Sequence, residues 1–388
     1  MYLSTVIHDF RGGGAERVSV LLANAFARLG HRSEIVCLSE EGPYRPLVDG
    51  AVTVTCLGKA RMFQAIPHLA GHLRAARPDA VLSHLTHVNV VTLAAAALAR
   101  GPSVFCVEHN DFGRAGADVG SPLVRLAWRA APWLYRRAAA VFCVSESVKD
   151  SIPGALATPE RFPVVANPLD PAQLLAGIAA DPRHSWLDGT HDVLVACGRL
   201  TAQKNYPMML EALARLRRQR DVRLVILGQG PLLSDLQDRA RGLGVENAVD
   251  FTGFSANPFA FFARARLFVS TSDYEGLPMT VIEALYCGAD VVTTDSCSGV
   301  ADLTAGAGFG DCVARADLDG FVAAVERRLD VRPVPAQDKR QALRAYEIDA
   351  VAAAYLEVIG RDRHPGHGTV RAATSDGRAA ASLSQTRR

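Results

Sequence analysis

Short apolar runs rich in Val, Ile, Leu and Cys recur along the chain and alternate with longer stretches in which Ala and Leu repeat at helical spacing. In the first half such runs at 3–8, 33–39, 52–57, 80–84, 104–108, 140–145 and 164–166 predict strands, and 16–29 and 89–99 predict helices. Alternation of this kind predicts a parallel sheet with helices on both faces. Asn167-Pro168-Leu169-Asp170-Pro171 breaks the pattern, and the poorly periodic stretch after it reads as a connection. The alternation then restarts, with strands predicted at 192–197, 223–227, 248–251, 267–271, 290–294 and 310–313, and helices at 207–218 and 232–243. The expected organisation is a first domain at 1–170, a linker at 171–190, a second domain at 191–340 and a last helix within 341–360. The stretch 361–388, rich in Gly, Ser, Ala and Arg, is expected to be a disordered tail. Two βα domains in series leave a cleft between the carboxyl ends of their strands, where ligands of such sheets bind.

Composition narrows the class. The 388 residues suffice for two domains, and 49% hydrophobic and 21% charged residues are values of a globular protein. A net charge of +2 gives no reason to expect a nucleic-acid partner. The eight cysteines at 37, 56, 106, 143, 197, 287, 297 and 312 form no CxxC pair and lie mostly in apolar runs. That favours reduced, buried thiols in a cytoplasmic protein over disulfides or zinc. The N-terminus lacks the basic flank and apolar length of a signal peptide, and no stretch approaches an uncharged span of about 20 residues. Any membrane contact is therefore expected to be peripheral.

The densest chemistry lies at 267–285. A buried strand predicted there is followed by the loop Glu275-Gly276-Leu277-Pro278 and a helix carrying Glu283 one turn in. A helix N-terminus suits a diphosphate, and each carboxylate can accept two hydrogen bonds from a vicinal diol. The plainer alternative is an acid complementing the helix dipole. Arg199 and Lys204 follow the first strand of the second half, where two cations can neutralise a diphosphate leaving group without a metal. Gly228-Gln229-Gly230 and Gly253-Phe254 also end strands, either as base-reading backbone or as plain turns. In the first half, Gly12-Gly13-Gly14 follows the first strand but fits neither a dinucleotide fingerprint nor a P-loop. His109 and Asn110 end one apolar run and His84 and His87 end its neighbour; His109 either hydrogen-bonds a sugar hydroxyl or is a satisfied strand-end histidine, and His84, His87 and Asn110 are expected to line an acceptor cleft. HxxH at 84–87 has no evident third ligand, and Asp317-Leu318-Asp319 reads as an acidic helix start, so no metal is expected. The stretch 122–137 mixes Arg with Trp and Leu. It either lies on an anionic bilayer or packs on its own sheet, with Pro132 as an interruption.

Together, Gly13-Gly14-Ala15-Glu16, Gly198-Arg199-Leu200 with Lys204-Asn205, Leu227-Gly228-Gln229-Gly230-Pro231, and Glu275 seven residues of spacing before Glu283 resemble the GT-B glycosyltransferases of family four. The likeness spans about 3–359. It implies two Rossmann-like, doubly wound parallel-sheet domains facing a central cleft, the first for the acceptor and the second for a nucleotide-sugar donor. It implies that Arg199 and Lys204 hold the donor diphosphate, Glu283 the ribose, Glu275 the donor sugar, and the Gly13–Gly14 backbone the phosphate. His109 then contacts the donor hexose near the reaction centre, and the last helix crosses back to the first domain. Gly253, Phe254, Gly276, Leu277 and Pro278 complete the donor set. Asp302 stands where the family usually carries Glu. No cofactor or metal is implied.

The resulting expectation is a retaining, metal-independent transferase of hexose or N-acetylhexosamine in polysaccharide biosynthesis. Its donor is expected to be a UDP-sugar and its acceptor a glycan or polyprenyl-diphosphate-linked oligosaccharide at the inner face of the cytoplasmic membrane. A nucleotide-sugar 2-epimerase and a non-catalytic sugar-nucleotide-binding protein are the rivals. The first lacks a convincing acid–base set, and the second does not need the full Arg/Lys/Glu/Glu group.

Overall fold

The computed structural model describes residues 1–363 apart from 12, 60, 118, 119 and 190. The expected 361–388 tail lies outside the described residues except for its first three, which continue the last helix. The first sheet contains β1 (Tyr2–Val6), β2 (Arg32–Cys37), β3 (Thr53–Cys56), β4 (Ala80–His84), β5 (Ser103–Glu108) and β6 (Ala140–Cys143). The second contains β7 (Asp192–Cys197), β8 (Val222–Leu227), β9 (Val249–Gly253), β10 (Leu267–Ser270), β11 (Asp290–Thr294) and β12 (Gly310–Val313). The orders are β3-β2-β1-β4-β5-β6 and β12-β11-β10-β7-β8-β9, with all pairs parallel. These are two doubly wound sheets of the same order. Helices cover both faces of such sheets, so central strands read as continuous apolar runs rather than alternating ones.

In each sheet the order reverses once, between β1 and β4 and between β7 and β10. Loops leaving the two strands on opposite sides open a crevice there. Lys204 follows β7, Glu275 follows β10, and His84 ends β4, so the predicted chemistry gathers at the reversals.

Two elements differ from expectation. Residues 164–166 form only a single bridge, Cys143 with Val164, because Pro163 has no N–H to extend a ladder. The last helix expected within 341–360 is instead the end of one helix and a second, Ala336–Ala342 and Ile348–Arg363, parted by a turn at Arg344–Tyr346. Backbone pairing separates them: Leu169 N–H donates to Tyr346 at 2.7 Å, and Ile348 N–H donates to Leu169 at 2.7 Å. The two passages of the chain between the sheets therefore run side by side. Within 171–190, Pro171–Ile178 is helical, capped by the Asp170 carboxylate. The helix Ile348–Arg363 packs on the first sheet, where the Tyr355 ring lies 4.2 Å from Phe142 of β6.

Candidate active site

At the second sheet's reversal, Lys204 Nζ donates to Glu275 Oε1 at 2.5 Å. The loops carrying them are laced together. Asp273 N–H reaches the Gln203 carbonyl at 2.9 Å, Gln203 Nε2 the Tyr274 carbonyl at 2.9 Å, and Asn205 Nδ2 the Asp273 carboxylate at 3.0 Å. Asn205 takes a left-handed φ of 46° and caps the following helix Tyr206–Leu216, which sets where Lys204 leaves the backbone. Arg199 is exposed, and its charge acts on Glu16: burial pushes the Glu16 carboxyl up and Arg199 draws it back down.

Pro278 is the cap of the helix Met279–Cys287, and Gly288 closes the helix with a φ of 107°. Glu283 is buried one turn in. It faces not solvent but Arg17, whose Nη1 donates to its Oε1 at 2.5 Å. Burial pushes the Glu283 carboxyl up against the downward pull of Arg17.

The second half meets the first at Gly276. A Cβ there would lie 2.0 Å from the His109 carbonyl oxygen, so only glycine permits this approach. Ser145 Oγ donates to the Gly276 carbonyl at 2.7 Å, and Asn167 Nδ2 to the Leu277 carbonyl at 2.7 Å. Met279 lies near Gly14: a Cβ on that glycine would be 4.0 Å from its sulfur. Gly13 is the cap of the Gly14–Arg28 helix, without a side chain to satisfy its N–H groups.

His109 is buried, with Nε2 2.9 Å from His84 Nδ1. Burial lowers His109 to about 4 and His84 well below its usual value, so both rings are neutral at pH 7. His84 stands behind His109, and its Nε2 has no hydrogen-bond partner among the described residues. His87 and Asn110 are half-buried, and burial lowers His87 to about 4. Beneath them, Glu108 accepts hydrogen bonds from Tyr135, Thr86 and Asn89, and burial raises it to about 7.

Other predicted residues lie apart from this group. Gly253 ends β9, the edge strand two removed from β7, and an exposed Phe254 follows it. Gly228 and Gly230 pack on the neighbouring loop, where a Cβ would meet Gly198 and Leu200 backbone at 1.9 and 2.4 Å. Their stretch is used internally: Leu200 N–H donates to the Gln229 carbonyl at 2.9 Å, and Gly228 N–H to Gly253 at 2.7 Å. Asp317 caps the helix Leu318–Asp330, and Asp319 pairs with Arg215. Asp302 is exposed.

Residues 179–347 match the family model for glycosyl transferases group 1, and residues 12–173 match that for Glycosyltransferase Family 4. The chain belongs to the family-four glycosyltransferases. A similar curated relative is a Campylobacter jejuni enzyme. It is named for 1,4-N-acetylgalactosaminyl transfer to an undecaprenyl-diphosphate-linked glycan, and is 28% identical over 78% of this chain and 82% of its own. The Rhizobium meliloti lipopolysaccharide core glycosyltransferase LpsE is 24% identical over 83% of this chain and 87% of its own. Among solved structures, Anabaena HepE with UDP and glucose superposes with a TM-score of 0.75 at 19% identity, covering 93% of this chain and 99% of that one.

In this glycosyltransferase, sequence reasoning missed Arg17, Gln173, Ser145 and Asn167. Ser145 and Asn167 had a readable signal, since both are polar residues just beyond apolar runs. The stretch 122–137 is mostly one helix, Pro122–Leu134, and Pro132 lies inside it without ending it. Ala127 and Ala131 face inward, while Leu123, Leu126 and Trp133 are exposed. Among the described residues no helix is long and apolar enough to cross a membrane.

Proposed function

We propose that this glycosyltransferase moves a hexose or N-acetylhexosamine from a UDP-sugar to a lipid-linked or polysaccharide glycan, with retention and without a metal. The carrying observation is the Lys204–Glu275 pair held against His109 through Gly276. Its elements come from both sheets and converge where a donor would lie between them. The second sheet is the donor half. Lys204, Arg199 and the N-terminus of the Met279–Cys287 helix receive the diphosphate, Glu283 the ribose and Glu275 the sugar. Gly13 and Gly14 close over the phosphate, and Phe254 stands beside the base. His109 borders the hexose, and His87 and Asn110 line the acceptor side.

The glycosidic bond to the diphosphate breaks as the acceptor oxygen bonds to the same face of the anomeric carbon. The acceptor proton passes to the departing phosphate oxygen, whose charge Lys204 and Arg199 offset. The relative acting on undecaprenyl-diphosphate-linked glycan supports such an acceptor. Exposed Leu123, Leu126 and Trp133 beside exposed Arg125, Arg129, Arg136 and Arg137 support docking of the acceptor half on an anionic bilayer, on its cytoplasmic side.

The test is product analysis with UDP-hexoses, UDP-N-acetylhexosamines and an undecaprenyl-diphosphate-linked sugar, with chelator present. Transfer with a retained anomeric configuration, abolished in Lys204→Ala, is expected. An epimerised donor without transfer would instead establish the epimerase reading, and nucleotide binding without any product the non-catalytic one.

A further inference from the structure

Arg17 belongs to the first half, on the opening turn of the helix Gly14–Arg28. Its guanidinium is nonetheless enclosed by the second half. Nη1 donates to Glu283 Oε1 at 2.5 Å, Nη2 to Gln173 Oε1 at 3.0 Å, and the guanidinium carbon lies 5.1 Å from the centre of the Phe259 ring. These partners come from three helices, Pro171–Ile178, Phe259–Phe262 and Met279–Cys287. The side chain is only 11% exposed, so this is a socket rather than a surface pair.

A carboxylate buried this deeply holds its charge only beside a compensating cation. Arg17 is the charged group that acts on Glu283, and Glu283 in turn acts on Tyr44, ahead of the turn Arg45–Leu47, Cys197 at the end of β7, and Cys287 on its own helix. None of the last three is a cation, and each is itself pushed up by burial. Lys204 is committed to Glu275, and Arg340 lies over the Tyr286 ring. Arg17 is therefore the cation paired with Glu283 among the described residues.

We propose that Arg17 is a positioning residue for the donor: it holds Glu283 as an oriented, ionised carboxylate, so that a residue of one half completes the nucleotide site of the other. The inference rests on Glu283 binding the ribose, as proposed above. An ionised carboxylate accepts from both hydroxyls of a diol, whereas a protonated one must donate and matches that diol poorly. Without Arg17, burial raises the Glu283 carboxyl further, so the group holds its proton to a higher pH than in wild type and raising the pH restores the charge.

The experiment is calorimetric titration of the full chain with UDP, GDP and ADP and the 2′-deoxy forms, from about pH 6.5 to about pH 8.5. Wild type, Arg17→Met, Arg17→Lys and Glu283→Gln are compared, with thermal unfolding of each as the fold control. Wild type should bind one nucleotide with little pH dependence and prefer the ribo form. Arg17→Met should bind about tenfold more weakly at the acid end, recover as the pH rises, and lose the ribo preference. Arg17→Lys should keep most of the affinity, which also separates a charge effect from misfolding. If Glu283→Gln binds like wild type, the ribose reading itself fails. If Glu283→Gln is weak but Arg17→Met matches wild type at every pH, that reading stands and the role of Arg17 is overturned. A loss in Arg17→Met that is equal at all pH values and is not rescued by lysine also overturns it.

Discussion

Lys204 and Glu275 stand on the loops that follow adjacent strands with their charges 2.5 Å apart, and with side chains only 19% and 9% exposed each compensates the other's charge. The value of the pair lies in a fixed ammonium where negative charge develops. Lys204→Ala should lower kcat about a hundredfold or more under conditions where the variant is still folded, although losing the partner of the buried Glu275 also lowers the urea midpoint. A variant with near wild-type turnover would remove Lys204 from the leaving-group role. Glu108 makes a different prediction. Its folded value of about 7 lies above the 4.5 of a free carboxyl, so the native state holds the proton more tightly. Stability from this group is complete below about pH 4.5 and declines as the pH rises to about 7, by roughly 3 kcal/mol. Urea unfolding over that range should show wild type losing that amount of stability relative to Glu108→Gln. A constant difference would refute it. Lys204, Glu275 and Glu283 were legible because each follows a recognisable apolar run. Arg17 was not: it stands 266 positions from Glu283, and no local spacing records that partnership.

At the scale of elements, the loop after β10 matters for its fit against the first sheet. Gly276→Ala would drive a methyl into the His109 carbonyl, so the halves must separate or the loop must shift. The expected cost is about 1–3 kcal/mol in thermal unfolding, with a larger loss of transfer activity. An alanine variant of full activity would show that the contact is not needed in the working state. The helix Pro122–Leu134 carries the surface prediction. Leu126 and Trp133 are 62% and 60% exposed, so replacing both with Glu should leave the melting temperature nearly unchanged. Sedimentation with anionic vesicles should fall severalfold in that variant, and added salt should weaken wild-type binding as well. Equal sedimentation of the two proteins would rule this helix out as the docking face. The strands were read within a residue or two because continuous apolar runs are what a doubly covered sheet requires. The break between Ala342 and Ile348 was not, since its cause is pairing with Leu169, far away in sequence.

For the whole molecule, two sheets of identical order follow from two successive runs of βα alternation, and that much was legible from periodicity alone. How the halves are joined was less so. The last helix leaves the second half and buries Tyr355 and Ile359 on the first. Tyr355→Ala should cost about 3 kcal/mol or more in urea unfolding, as a deleted core aromatic does. A cost below about 1 kcal/mol would mean that the first sheet does not depend on this helix.

The bonded passages at Leu169 and Tyr346–Ile348 bear on how the enzyme can be taken apart. The chain enters and leaves the second half through one doorway, so that half is an insertion between two pieces of the first. A chimera that exchanges donor specificity should therefore be cut at both passages together, with the new module grafted between 170 and 347 and the helix Ile348–Arg363 left with its original host. Joining two natural halves at a single point near 170 would instead give the first half a closing helix shaped for another protein's surface.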